Sequence, residues 1–231
     1  MRTLGLIGGI SWESTTHYYQ RLNQLVAQRL GGLHSAKLLM YSVDFDEIQK
    51  LQHADDWQAC GRIFTDIARR LERAGAEGLV ICANTMHILA EEIGAAVSIP
   101  ILHIAEATAE AALAAEVDSV ALLGTRFTME KDFYRRNLEA HGLKVLVPDE
   151  AERAELHRII YEELCLGVVD PKSKQTFYKV VHRLAQHGAR SAALACTEFT
   201  LIADQALSPV PLLDTTELHA RAAVEWMLGG G

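Results

Sequence analysis

The sequence predicts an α/β protein of two similar lobes, each a parallel sheet flanked by helices, related by internal duplication. Short apolar runs alternate with longer helical patterns along the 231 residues, which is the order of a parallel sheet with helical crossovers. Three segments of the first half recur, in the same order, in the second. No Pro/Gly/Ser-rich linker separates the halves, so a division into lobes requires the chain to cross between them.

The first apolar run, Leu4 to Ile7, follows only Met1-Arg2-Thr3 and leads into Gly8-Gly9. It is too short for the core of a signal peptide and reads as a first strand. A helical pattern follows near Thr15 to Leu30, then a strand at Lys37 to Val43 and a helix near Trp57 to Arg73. Gly78 to Cys82, Val120 to Leu123, Lys144 to Val147 and Ala192 to Ala195 continue the strands.

The repeat aligns Leu4-Gly5-Leu6-Ile7-Gly8 with Val120-Ala121-Leu122-Leu123-Gly124, an offset of 120 − 4 = 116. It aligns the segment from Gly75 to Thr85 with the segment from Gly188 to Glu198, offset 188 − 75 = 113, and Pro100-Ile101-Leu102-His103 with Pro211-Leu212-Leu213-Asp214, offset 211 − 100 = 111. Any one match is weak; three in order with nearly constant offsets indicate two homologous halves. Crossings at the helices after Pro100 and Pro211 give expected lobes of 1–98 with 211–231, and 99–210, with the active site between them.

Composition narrows the function classes. A hydrophobic content of 49% is enough to bury a substantial core, which excludes disorder. The net charge is −8 and no Lys/Arg run could neutralise several neighbouring phosphates, so nucleic acid is not an expected partner. No stretch approaches the roughly 20 apolar residues of a membrane span. The four cysteines, Cys60, Cys82, Cys165 and Cys196, form no CxxC pair and no closely spaced Cys/His zinc pattern. A reduced, soluble, cytoplasmic protein acting on a small molecule is expected, with no disulfide framework; a homodimer is compatible with all of this.

In an open parallel sheet, ligands bind at the carboxyl ends of the strands. Four such ends stand out: Gly8-Gly9-Ile10-Ser11, Ala83-Asn84-Thr85, Gly124-Thr125-Arg126-Phe127-Thr128 and Cys196-Thr197-Glu198. Glycines at Gly8, Gly9 and Gly124 would let backbone N–H groups approach a ligand, and tight βα turns explain them equally well. A dinucleotide-binding loop is the weaker reading, because Gly8-Gly9-Ile10-Ser11 lacks a third glycine. Cys196 ends a fully apolar strand and precedes two polar residues; a reactive thiol and a small core hydrophobe are equal readings of it. Cys60 and Cys165 fit packing within helices. The repeat pairs Cys82 with Ala195, so strand alternation turns Cys82 into packing and makes Ala83 the positional twin of Cys196. His87 and His103 are expected as hydrogen-bonded structural groups, with His87 a possible pocket neighbour. Glu198 and Asp44 are the carboxylates nearest the expected site, and a solvated face explains Asp44 equally.

These residues resemble the aspartate/glutamate racemase superfamily along nearly the whole chain. The resemblance rests on the segment from Gly5 to Thr15, on Ser42-Val43-Asp44-Phe45, Ala83-Asn84-Thr85-Met86-His87, Leu122 to Thr128, and Cys196-Thr197-Glu198. It implies two facing α/β lobes, no pyridoxal phosphate or other cofactor, no metal, and a small amino acid as substrate. Racemisation removes the α-proton from one face and returns one to the other, so two acid/base groups must flank the α-carbon. By resemblance Cys196 is one of them. Gly8, Gly9, Ser11, Asn84, Thr85, Thr125, Thr128 and Thr197 match substrate-binding positions, and Glu198 and His87 are supporting candidates. The chain departs from the pattern at Ala83, which occupies the place of the second catalytic cysteine, and a methyl group carries no proton. No secure match exists for the basic residue that selects a side-chain carboxylate; Arg126, Lys172 and Lys174 are candidates. Four readings follow: a weak or one-sided racemase with Thr85, Cys82 or water supplying the second proton; an engineered loss of the cysteine; a single-cysteine decarboxylase or isomerase; or a non-catalytic small-acid binder.

Overall fold

The computed structural model describes residues 1–229; the last two residues of the expected first lobe lie outside them. The chain forms two compact units, Met1–His103 with the chain from His219 onward, and Ile104–Leu218.

The first unit begins β1 (Leu4–Gly8), α1 (Trp12–Leu30), β2 (Leu38–Ser42), α2 (Phe45–His53), α3 (Trp57–Arg73), β3 (Gly78–Ile81), a 3-10 turn (Thr85–Leu89) and α4 (Ala90–Gly94). The second holds α5 (Ile104–Ala114), β4 (Ser119–Gly124), α6 (Arg126–Glu130), α7 (Asp132–Ala140), β5 (Lys144–Leu146), α8 (Glu150–Glu162), a 3-10 turn (Leu164–Leu166), α9 (Pro171–Gln186), β6 (Ser191–Ala195), a 3-10 turn (Thr197–Leu201) and β7 (Leu212–Asp214). α10 (Thr215–Leu228) starts in the second unit and returns the chain to the first.

The duplication appears as identical strand order. The first sheet runs β2-β1-β3 and the second β5-β4-β6-β7, every pairing parallel. Ile101 adds a single parallel bridge to Leu79, the counterpart of β7 on β6. Even the flanking bonds correspond: Leu79 N–H donates to Pro100 O at 2.8 Å, and Ala192 N–H to Pro211 O at 2.9 Å.

These pairings explain where the units divide. Residues 99–103, expected in the second lobe, stay with the first because Leu79 holds them on both sides, Leu102 N–H donating to Leu79 O at 2.9 Å. Residues 211–218, expected in the first, stay with the second because β7 completes its sheet and Thr215 Oγ1 donates to Leu194 O at 2.9 Å. The crossings therefore fall inside or just before the helices, a few residues later than the prolines suggest.

Each sheet is covered on both faces, which is why its central strands are apolar throughout rather than alternating. In the first unit, Ile7, Leu79 and Ile81 pack under α3, whose Cys60, Phe64, Ile67, Ala68 and Leu71 repeat at helical spacing. Leu4, Leu6, Val80 and Cys82 face α1 and α10 through Tyr18, Leu22, Val26, Ala220 and Val224. Truncating a side chain such as the fully buried Phe64 to Ala is worth about 3–5 kcal/mol. In the second unit, α8 and α9 cover one face and α5 and α7 the other. Among the described residues no helix is long and apolar enough to cross a membrane.

Candidate active site

In the first unit the strand ends are built around close backbone approach. Gly9 has φ 86°, and a Cβ there would lie 2.3 Å from Val43 O; a Cβ on Gly8 would lie 2.5 Å from Thr15 Cγ2. Gly9 N–H donates to Thr15 Oγ1 at 2.8 Å. The expected role of Gly9 N–H as a ligand donor is thus met internally, and these glycines serve the tight turn that seats α1. Ser11 caps α1, accepting from Ser14 N–H at 3.1 Å, while held at φ 55°, a conformation uncommon for a residue with a side chain. Asp44 is exposed and caps α2, so the solvated reading of it holds.

At the end of β3 the side chains alternate as strand geometry requires. Cys82 is fully buried in the α1/α10 face, and burial pushes its thiol pKa up. Ala83 packs toward the α3 face, half-buried, followed by the buried Asn84 and Thr85. Ser14 Oγ donates to Cys82 O at 2.9 Å and ties α1 to this strand end.

Next to it lies a histidine cluster in which the sequence indicates His87 and His103 but not His219. His87 Nδ1 is 2.9 Å from Ala83 O; a carbonyl only accepts, so Nδ1 carries the proton. The His87 ring lies 4.7 Å from His103 and 5.4 Å from His219. His219 Nε2 donates to Leu102 O at 2.7 Å, which leaves its Nδ1 to accept from Tyr18 OH at 2.8 Å. Burial holds His103 and His219 down to about 4, and burial with its two neighbours holds His87 well below the usual histidine range. All three are neutral at pH 7. His219 and Tyr18 lie 201 residues apart in sequence, with no motif to join them.

In the second unit, a Cβ on Gly124 would lie 2.7 Å from Ala195 O, so β4 must end in glycine for β6 to pass. Thr125 caps α6, accepting from Thr128 N–H at 3.3 Å, with the two hydroxyl oxygens 3.2 Å apart and buried. Cys196 is 7% exposed, and its Sγ donates to Glu198 Oε2 at 3.0 Å. Burial first, then the Glu198 charge, push this thiol well above its ordinary pKa, so Cys196 rests as a thiol. α8 presents His157 and Tyr161 one turn apart toward the same strand ends: Arg126 N–H donates to His157 Nδ1 at 3.2 Å, and the two rings lie 4.6 Å apart. Tyr161 packs against the apolar cluster containing Cys196. Of the basic candidates, Arg126 pairs with Glu130 at 3.8 Å, and Lys172 and Lys174 lie in the first turns of α9. Among the described residues no cluster of three or more His, Cys, Asp or Glu side chains is arranged to hold a metal ion.

The profile of the Asp/Glu/Hydantoin racemase family matches residues 7–223. The chain belongs to this family of isomerases. It is 23% identical over 242 residues to the broad specificity amino-acid racemase RacX of Bacillus subtilis, covering 97% of this chain and 98% of that protein. A Yersinia pestis crystal structure classed with the Asp/Glu racemases is 48% identical with a TM-score of 0.94, covering 99% of this chain and 100% of that one. PH1733, an aspartate racemase homologue from Pyrococcus horikoshii, is 35% identical with a TM-score of 0.85 over 99% and 100%. Glutamate racemase from Francisella tularensis shares the fold, at 14% identity and a TM-score of 0.70 over 99% of this chain and 81% of that one.

Proposed function

We propose that this family member acts at the α-carbon of a small amino acid, aspartate, glutamate or a relative, without a cofactor, and that Cys196 is its single acid/base thiol. The hydrogen bond from Cys196 Sγ to Glu198 Oε2 carries the reading, because it pairs a reactive atom with a proton acceptor at a strand end. When Glu198 takes the thiol proton, the thiolate can remove an α-proton; when Glu198 returns it, the thiol can deliver one. The threonine hydroxyls and Asn84 supply donors suited to carboxylates, whose negative charge grows as the α-carbon loses its proton. The α3-facing methyl of Ala83 supplies no proton, so water or Thr85 serves the opposite face and racemisation is slow or one-sided. The site residues so assigned are Cys196 with Glu198 for proton transfer, and Ser11, Asn84, Thr85, Thr125, Thr128 and Thr197 for substrate. A reducing, cytoplasmic setting fits four unbridged thiols.

In D₂O, Cys196 alone should exchange the α-hydrogen of one enantiomer much faster than it inverts that enantiomer. Equal exchange and inversion for both enantiomers, or full activity in Cys196→Ser, would defeat the reading. A second reading is favoured by the resting state of Cys196: a thiol poised to donate suits a decarboxylation, where carbon dioxide leaves and only one protonation follows. Release of carbon dioxide from an α-substituted malonate, with no α-exchange of amino acids, would select it.

A further inference from the structure

Cys165 reads in the sequence as helix packing. In the structure it occupies the 3-10 turn Leu164–Leu166, partly exposed, where Gly167 reverses the chain at φ 72°. That turn touches the turn Thr197–Leu201, and Cys165 packs against the apolar cluster that includes Cys196 and Phe199. Cys165, in one turn, and Cys196, immediately before the other and 196 − 165 = 31 residues away, are therefore brought into one neighbourhood of the second unit. A charge on Cys165 would raise the proton affinity of Cys196, as expected for sulfurs within electrostatic range. Cys60 and Cys82 are placed differently: both are fully buried, and they belong to clusters on opposite faces of the first sheet.

The geometry points to a peroxide-responsive thiol pair, in which Cys165 and Cys196 form a reversible disulfide that withdraws the Cys196 thiol from proton transfer. The functional consequence rests on Cys196 being the acid/base group proposed above; the disulfide itself does not.

The chemistry balances with hydrogen peroxide as oxidant. The more exposed Cys165 sulfur attacks one peroxide oxygen, the O–O bond breaks, and the departing hydroxide takes the thiol proton to leave as water. Cys165 is then a sulfenic acid. Cys196 passes its proton to Glu198, already its hydrogen-bond acceptor at 3.0 Å, and its sulfur attacks the sulfenic sulfur. The S–S bond forms, the S–OH bond breaks, and the hydroxide leaves as water with the proton held by Glu198. Two thiols lose two electrons and two protons, and one peroxide becomes two waters.

The test uses the full, reduced chain with equimolar hydrogen peroxide, quenched in denaturant with N-ethylmaleimide. The expected result is a mass loss of about 2 Da, two fewer alkylatable thiols, a Cys165–Cys196 crosslinked peptide, and reversal by dithiothreitol with recovery of α-proton exchange. Cys165→Ser should show no crosslink, and Cys196→Ser should leave a sulfenic acid on Cys165 that dimedone traps. Oxygen addition to either cysteine with no crosslink, or crosslinks through Cys60 or Cys82, would overturn the pair. If the crosslink forms in a chain that exchanges no α-proton, the racemase reading falls and the pair stands; exchange without a crosslink does the reverse.

Discussion

Cys196, the residue that precedes the 3-10 turn Thr197–Leu201, donates its Sγ proton to Oε2 of Glu198 within that turn at 3.0 Å. The arrangement keeps the sulfur protonated at rest and supplies the acceptor that can relieve it of that proton.

Replacing Glu198 by Gln removes the negative charge beside the thiol, so the Cys196 pKa should fall. Iodoacetamide alkylation of Cys196 should then shift its pH profile to lower pH. α-Proton exchange should drop by about 10²-fold, the usual scale for losing a positioned proton acceptor. An unchanged alkylation profile would show that the carboxylate does not control the thiol.

Ala83→Cys restores a thiol at the twin of Cys196. Racemisation should rise by about 10²-fold or more, while one-sided exchange changes little. Chiral chromatography of the product from each enantiomer separates the two. No gain in inversion would mean that position 83 does not face the α-carbon.

The neutral histidine cluster makes the fold acid-labile. An unfolded histidine titrates near 6.5, whereas His103 and His219 are held down to about 4. The depressed folded value means that their contribution is fully present above about pH 6.5 and is lost as pH falls toward 4, by on the order of 2–3 kcal/mol per ring. Urea midpoints at pH 7 and pH 5 should differ accordingly. His219→Gln should flatten part of that dependence; a midpoint constant from pH 7 to 4.5 would refute it.

Gly9→Ala combines a positive φ with a Cβ aimed 2.3 Å from Val43 O, and should destabilise by about 2–4 kcal/mol. Gly31 also has positive φ, 75°, but nothing within 4 Å, so Gly31→Ala should cost only about 1 kcal/mol. Urea denaturation of the pair separates backbone strain from steric clash.

The sequence by itself determined the fold class, the duplication and the place of Ala83. All three follow from local rules: apolar runs of strand length set the sheets, and period-2 alternation put Cys82 and Ala83 on opposite faces. The repeat offsets reappear as corresponding hydrogen bonds at Pro100 and Pro211. Only the tertiary structure decided where the units divide, because that depends on which strand Leu102 and Leu212 join rather than on the prolines before them. It also decided the neighbours of the chemistry. Tyr18 with His219 and Cys165 with Cys196 are brought near by packing between elements distant in sequence, and a lone histidine or a cysteine in an apolar run carries no mark of the partner that folding will supply.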